Sequence, residues 1–148
     1  MKFKNSGEKI TSENIRELRL YAPEDELVLL DFYPLRESDE PDWNPMPEDW
    51  SCYPEPLRVY KQDYTQLLLK YFAVIYPTKD AFDGTPEPEF DVCSYNWIGK
   101  DDWNCIIIEI EKHLSEHDSK EREFLQAFIE WIKEALKHTS IITVWGNQ

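Results

Sequence analysis

His113-Leu114-Ser115-Glu116-His117 sets two imidazoles four residues apart with a carboxylate between them. On one helix face such a pair can hold zinc while the glutamate activates a bound water, so the stretch reads as an H-x-x-E-H metal-hydrolase motif. Its surroundings argue otherwise. His113 falls in the apolar stripe of its helix, and His117 falls where that helix must end before a cap at Asp118. Only 31 residues follow to supply a further acidic ligand. Histidines at a helix C-terminus already suit the helix dipole, which accounts for the pair without a metal.

Other chemistry-bearing groups are weaker. Asp80, Asp83, Glu87, Glu89 and Asp91 offer oxygen ligands, but their spacing departs from the calcium loop with its glutamate at position 12, and Asp83-Gly84 reads as a turn. Cys93 or Cys105 with His113 has the residue types of a nucleophile pair, yet the pattern puts Cys93 in a strand and Cys105 in a helix, where a buried thiol acts as a small hydrophobe. Tyr95, Trp97 and Trp103 have the bulk to line a ligand pocket, but at those spacings such rings more often pack a helix against a sheet, and core is the favoured reading. With four glycines, Gly7, Gly84, Gly99 and Gly146, and no G-x-G-x-x-G, P-loop or G-x-S-x-G, the chain lacks the usual phosphate cradles and nucleophile elbow. No cofactor is called for.

The 148 residues carry 16 Lys and Arg against 30 Asp and Glu, a formal charge of −14. That balance excludes nonspecific nucleic-acid binding, which needs cations to neutralise phosphate, and it disfavours anionic membranes. No apolar run approaches the length of a membrane span, and Met1 to Ile10 lacks the apolar core of a signal peptide. The expected setting is cytoplasmic. Cys52, Cys93 and Cys105 are odd in number and widely spaced, which indicates neither a disulfide framework nor a C-x-x-C pair. An aromatic content of 14% argues for a folded chain of one domain.

The acid is concentrated. From Asp31 to Glu55 there are eight carboxylates against one base, Arg36, and from Asp80 to Asp91 five carboxylates and no base. These two proline-rich segments hold −12 of the −14. The first includes a loop over about residues 35–57, longer than connections in compact domains usually run unless they are functional or disordered. Within it Asp39, Glu40, Asp42, Trp43, Glu48, Asp49, Trp50 and Tyr53 form the candidate partner-binding set. Aromatic anchors ringed by carboxylates suit docking of a basic protein, the charge speeding encounter and the rings holding the complex. The same rings can instead fold back onto their own domain while the acids keep it hydrated. Both readings stand.

The elements that position these groups follow from periodicity. A short helix is expected from Thr11 or Ser12 to Ala22, then a strand from Leu27 to Tyr33 that is apolar on both faces and therefore central. Asp63 and Gln66 form a capping pattern before Tyr64, Leu67, Leu68, Tyr71, Phe72 and Ile75, a helix closed by Pro77. Glu89 to Asn96 reads as a strand ended by Gly99, followed by a helix capped at Asp101 with a stripe from Trp103 to Leu114. Asp118 and Glu121 form a capping box ahead of Phe124, Leu125, Phe128, Ile129, Ile132, Ala135 and Leu136, and Ile141 to Trp145 is a final strand. Two consecutive helices between strands break strict β-α-β alternation. The fold expected is α+β: a small, mostly antiparallel or mixed sheet of three or more strands covered by helices, with a C-terminal helical hairpin followed by a last strand.

In general character the chain resembles the small acidic cytoplasmic immunity proteins that neutralise bacterial toxins. The matching features are the Ser38 to Trp50 stretch, S-D-E-P-D-W-N-P-M-P-E-D-W, and the compact α+β frame. The resemblance implies a non-enzymatic inhibitor of a basic toxin domain, with carboxylates standing in for the phosphates of the toxin's substrate. A metal-dependent hydrolase around His113, Glu116 and His117, or a structural or oligomeric subunit, are the alternatives. Strand order and oligomeric state are left open.

Overall fold

The computed structural model describes residues 15–35 and 55–148. Strand β1 spans Arg16–Leu18, β2 Leu29–Pro34 and β3 Leu57–Tyr60, and helix α1 (Lys61–Leu67) starts directly behind β3. A four-residue helix α2 (Leu69–Phe72) and a 3₁₀ turn (Ala73–Ile75) continue its line, and a ribbon of β4 (Thr78–Lys79) and β5 (Pro86–Glu87) follows. Then come β6 (Tyr95–Gly99), α3 (Lys100–His113), a 3₁₀ turn (Leu114–Glu116), α4 (Ser119–Ala135) and β7 (Ile141–Gly146). Five strands form one mixed sheet in the order β1-β3-β2-β7-β6, with β1 parallel to β3 and every other pair antiparallel. This is the α+β fold expected, with the helical hairpin α3–α4 leading into the last strand.

All six residues of β2 are buried, as expected of a central strand. Side chains alternate across a strand, so Leu30 and Phe32 point to one face and Asp31 and Tyr33 to the other. Phe32 is the hub of the core. Its ring lies 5.3 Å from Phe128, 6.1 Å from both Phe72 and Trp103, and 6.3 Å from Trp131, mostly edge to face. The seven-residue stripe of α4 is buried throughout, and Asp118 caps that helix by accepting from the Glu121 amide at 2.9 Å. Trp131 joins the same core and donates its indole N–H to the Glu55 carbonyl at 2.8 Å, tying α4 to the approach of β3.

Several local expectations are overturned by long-range partners. Where the helix from residue 11 or 12 to Ala22 is expected, the described residues hold strand β1 followed by a turn: Arg16–Leu18 pairs with Leu57–Val59, and that ladder takes backbone groups a helix would bond internally. Asp63 does not cap α1. It is buried in the first turn and accepts from the amides of Leu20 (2.9 Å) and Tyr21 (2.6 Å), holding the turn that follows β1. Leu27 precedes β2 and is 80% exposed. Residues 89–94 are irregular, because the Asn96 side chain bonds the Asp91 amide and carbonyl in place of a ladder. Gly99, not Asp101, is the N-cap of α3. Cys93 and Cys105, expected inside, are both exposed.

The outer side of β2 carries a charge. Asp31 is 1% exposed and accepts two bonds from Arg58 of the neighbouring strand, at 2.7 and 2.8 Å, and one from the Tyr33 hydroxyl at 3.2 Å. Bonding to Asp31 holds the guanidinium proton more tightly than in water, while burial, then the Asp31 charge, pushes the Tyr33 phenol up. Removing one partner of a buried pair strands the other charge. Arg58→Met is expected to lower stability by about 3 kcal/mol or more, and Asp31→Asn in that background to restore part of it, both read from urea unfolding.

Gly146 closes the sheet under a close crossing. A Cβ there would meet the Val92 carbonyl oxygen at 2.1 Å, and the crossing is held by bonds from the Gly146 amide to Ser94 and from Gln148 to Val92. Because the obstacle is backbone, Gly146→Ala is expected to cost about 1–3 kcal/mol, measured as a lower urea midpoint with unchanged slope.

Candidate functional site

Asp39, Glu40, Asp42, Trp43, Glu48, Asp49, Trp50 and Tyr53 lie outside the described residues. Of the flanking acids of that segment, Asp31 is spent inside the sheet on Arg58 and is no part of an external field, whereas Glu55 is exposed.

The second acidic segment is described, and it stands beside exposed rings. The ribbon β4–β5 is closed by a turn in which Asp80 Oδ1 accepts from the amides of Phe82 (2.6 Å) and Asp83 (3.3 Å), Asp83 Oδ1 accepts from Thr85 (3.0 Å), and Gly84 takes a positive φ of 78°. The side-chain and backbone bonds from Thr85 lower the Asp83 pKa, which keeps it charged. Ala81 donates to the Trp97 carbonyl at 3.0 Å, so the turn is fastened to β6, the edge strand of the sheet.

On that edge the period of two turns Tyr95 and Trp97 to the outer face, while Asn96 and Ile98 are buried. Tyr95 is paired across the ladder with Trp145 of β7, and Phe82 leans on Trp97 from the turn. Four rings thus form a row: Phe82 to Trp97 at 5.2 Å, Trp97 to Tyr95 at 6.0 Å, Tyr95 to Trp145 at 6.5 Å, with planes inclined by 32 to 39°. Phe82 is 41% and Tyr95 37% exposed, and Trp97 and Trp145 are partly exposed. Trp103, grouped with Tyr95 and Trp97 in the sequence, is instead wholly buried under the sheet and donates to the Ile142 carbonyl at 3.2 Å. The β-branched and aromatic run from Ile141 to Trp145 is the sequence signal that points to Trp145, and Phe82 has none of comparable kind.

The H-x-x-E-H stretch forms a different arrangement. A cleft of about 580 Å³ between α1–α2, α3 and α4 is lined by Lys70, Tyr71, Glu109, His113, His117 and Glu121, among others. The two histidines do not converge. His117 is buried, with Nε2 2.6 Å from the Tyr71 hydroxyl and Nδ1 2.8 Å from Glu121, whose other oxygen accepts from the Tyr21 hydroxyl. That last bond pushes the Tyr21 phenol up to about 12. A carboxylate only accepts, so Nδ1 of His117 donates to Glu121, and both ring nitrogens are engaged within the fold. His113 differs, since Nδ1 faces Glu116 and Nε2 faces Glu109 at 3.0 Å. Two acceptors require two donors, and only the imidazolium has them. Among the described residues no group of three or more His, Cys, Asp or Glu side chains is placed to hold a metal ion.

Compared with known proteins, the chain matches no family model, no curated protein and no solved structure. No helix among the described residues is long and apolar enough to cross a membrane.

Hydrogen bonds to Glu116, then to Glu109, raise the His113 pKa above 6.5. Its contribution to stability is therefore complete below 6.5 and is lost as pH rises through the higher folded value. An NMR titration should give His113 a midpoint above 6.5, falling toward it in Glu109→Gln with Glu116→Gln. An unshifted wild-type midpoint would show that the doubly bonded imidazolium is not formed.

Proposed function

We propose that the chain is a non-enzymatic acidic binding module whose partner is a basic protein domain. The observation that carries this reading is the adjacency of the acidic turn at Asp80 to Gly84 with a row of four partly exposed rings, Phe82 in that turn, Trp97 and Tyr95 on the edge strand β6, and Trp145 on its neighbour β7. Carboxylates raise the encounter rate with a cationic partner, and rings supply contact area that slows its departure. From Thr78 to Asp102 seven carboxylates face two bases, Lys79 and Lys100, so the local field is negative. The role of an immunity protein that neutralises a basic toxin fits this chemistry, because a nuclease surface that grips phosphate is also drawn to ordered carboxylates.

Asp39, Glu40, Asp42, Trp43, Glu48, Asp49, Trp50 and Tyr53 are proposed as a second contact region of the same kind. The hydrolase alternative draws no support from the geometry, since His113 and His117 are each committed to separate carboxylates.

The experiment is surface plasmon resonance of the immobilised chain against the product of the neighbouring reading frame and a panel of cationic nuclease domains, at low and high salt. A complex whose association slows as salt rises supports the proposal; salt-indifferent binding, or none, overturns it. In such a complex, charge reversal at Asp39, Glu40, Asp42, Glu48 and Asp49 is expected to slow association about tenfold, and Trp43→Ala or Trp50→Ala to speed dissociation. Wild-type kinetics in all these variants would remove that region from the interface.

A further inference from the structure

The ring row is better matched to one kind of cation than to positive charge in general. A guanidinium is flat and weakly hydrated, so it can lie on an aromatic face while its in-plane N–H groups remain available to carboxylates. An ammonium is a compact, strongly hydrated charge that loses more on leaving water. Phe82, Trp97, Tyr95 and Trp145 form a chain of partly exposed rings whose successive centroids are 5.2, 6.0 and 6.5 Å apart. At the Phe82 end stand Asp80 and Asp83, whose carboxylates are already held by turn amides and need little ordering on binding.

Among the described residues, this geometry is present within the fold itself. The Arg19 guanidinium sits 3.8 Å from the centroid of the Tyr60 ring, its Nε bonds Glu17 at 3.2 Å, and Glu17 in turn accepts from the Tyr60 hydroxyl at 2.8 Å. Ring below and carboxylate at the edge is the arrangement that the row and the acidic turn offer to an outside residue.

Resting on the basic-partner reading above, we infer that this face is a docking site for arginine: an extended arginine-bearing segment of the cationic partner lies across the outer face of β6 and β7, guanidinium groups on the rings, with Asp80 and Asp83 taking their N–H donors at one end. The Ala81 amide already takes the Trp97 carbonyl, so the segment meets the rings on the outer face of the sheet and does not add a strand at its edge. The strip distinguishes arginine from lysine, whereas the acidic segments as a whole attract both.

The test compares a hexa-arginine with a hexa-lysine peptide of the same length, by calorimetry and by the NMR signals of the Trp97 and Trp145 indole N–H groups. Arginine is expected to bind about tenfold more tightly and to move both indole signals. Phe82→Ala, in an exposed turn, and Trp97→Leu should bring arginine affinity down to the lysine level while lysine affinity holds. If Trp97→Leu unfolds, Phe82→Ala decides. Equal affinity for the two peptides overturns the arginine inference and leaves the basic-partner reading intact; binding of neither overturns both. Sedimentation that reveals a dimer of the chain abolished by Phe82→Ala would make a second copy the occupant, and would likewise overturn the inference.

Discussion

A carboxylate sits in the middle strand of the sheet, and the arrangement around it depends on how that charge is answered. Asp31 is on β2, which is buried on both faces, so water cannot solvate it. Arg58 lies directly across the ladder and meets it with two nitrogens. A slip of one residue would turn the guanidinium to the other face and Val59 outward, so the pair specifies the register of β3 after the long connection from β2. Because α1 begins at Lys61, directly after β3, that register also carries Tyr64, Leu67 and Leu68 to their places in the core.

The two faces of the sheet do different work. Inward, Phe32 gathers Phe72, Trp103, Phe128 and Trp131 around it, joining the helices in one aromatic cluster. Outward, the same alternation sets Tyr95, Trp97 and Trp145 in a row that ends at Phe82. Separation of charge makes the two compatible. A chain of −14 that spread its acid evenly would set like charges beside every helix; here −12 is confined to two segments of the sequence, and self-repulsion falls mostly on them. The cost of holding negative groups together is offset where they are useful, as at the turn beside the rings.

The helix α4 was fully legible: its capping box forms and every residue of its stripe is buried. The helical spacing of Tyr64, Leu67, Leu68, Tyr71, Phe72 and Ile75 marks one buried face, although the helix that carries them breaks at Leu68. The capping pattern at Asp63 misled because a carboxylate suited to bond amides does so wherever amides point; those of Leu20 and Tyr21, more than forty residues away, were the ones in reach. Of the candidate site, the second acidic segment and two of its four neighbouring rings were in view. The H-x-x-E-H spacing was real, yet spacing along a chain says nothing about where each imidazole nitrogen is aimed.

Periodicity, caps and composition are properties of neighbours along the chain, and they settled what neighbours decide: the α+β class, the central strand, the two long helices, and the gathering of acid into two segments. Tertiary structure decided what depends on partners distant in sequence. It made Arg16–Leu18 a parallel strand, set Asp31 against Arg58, and put Tyr95 and Trp97 on the face opposite Trp103. It also gave His113 two carboxylates and His117 one. In each case a backbone or side-chain group can bond in several ways, and the choice falls to whichever partner folding brings within about 3 Å.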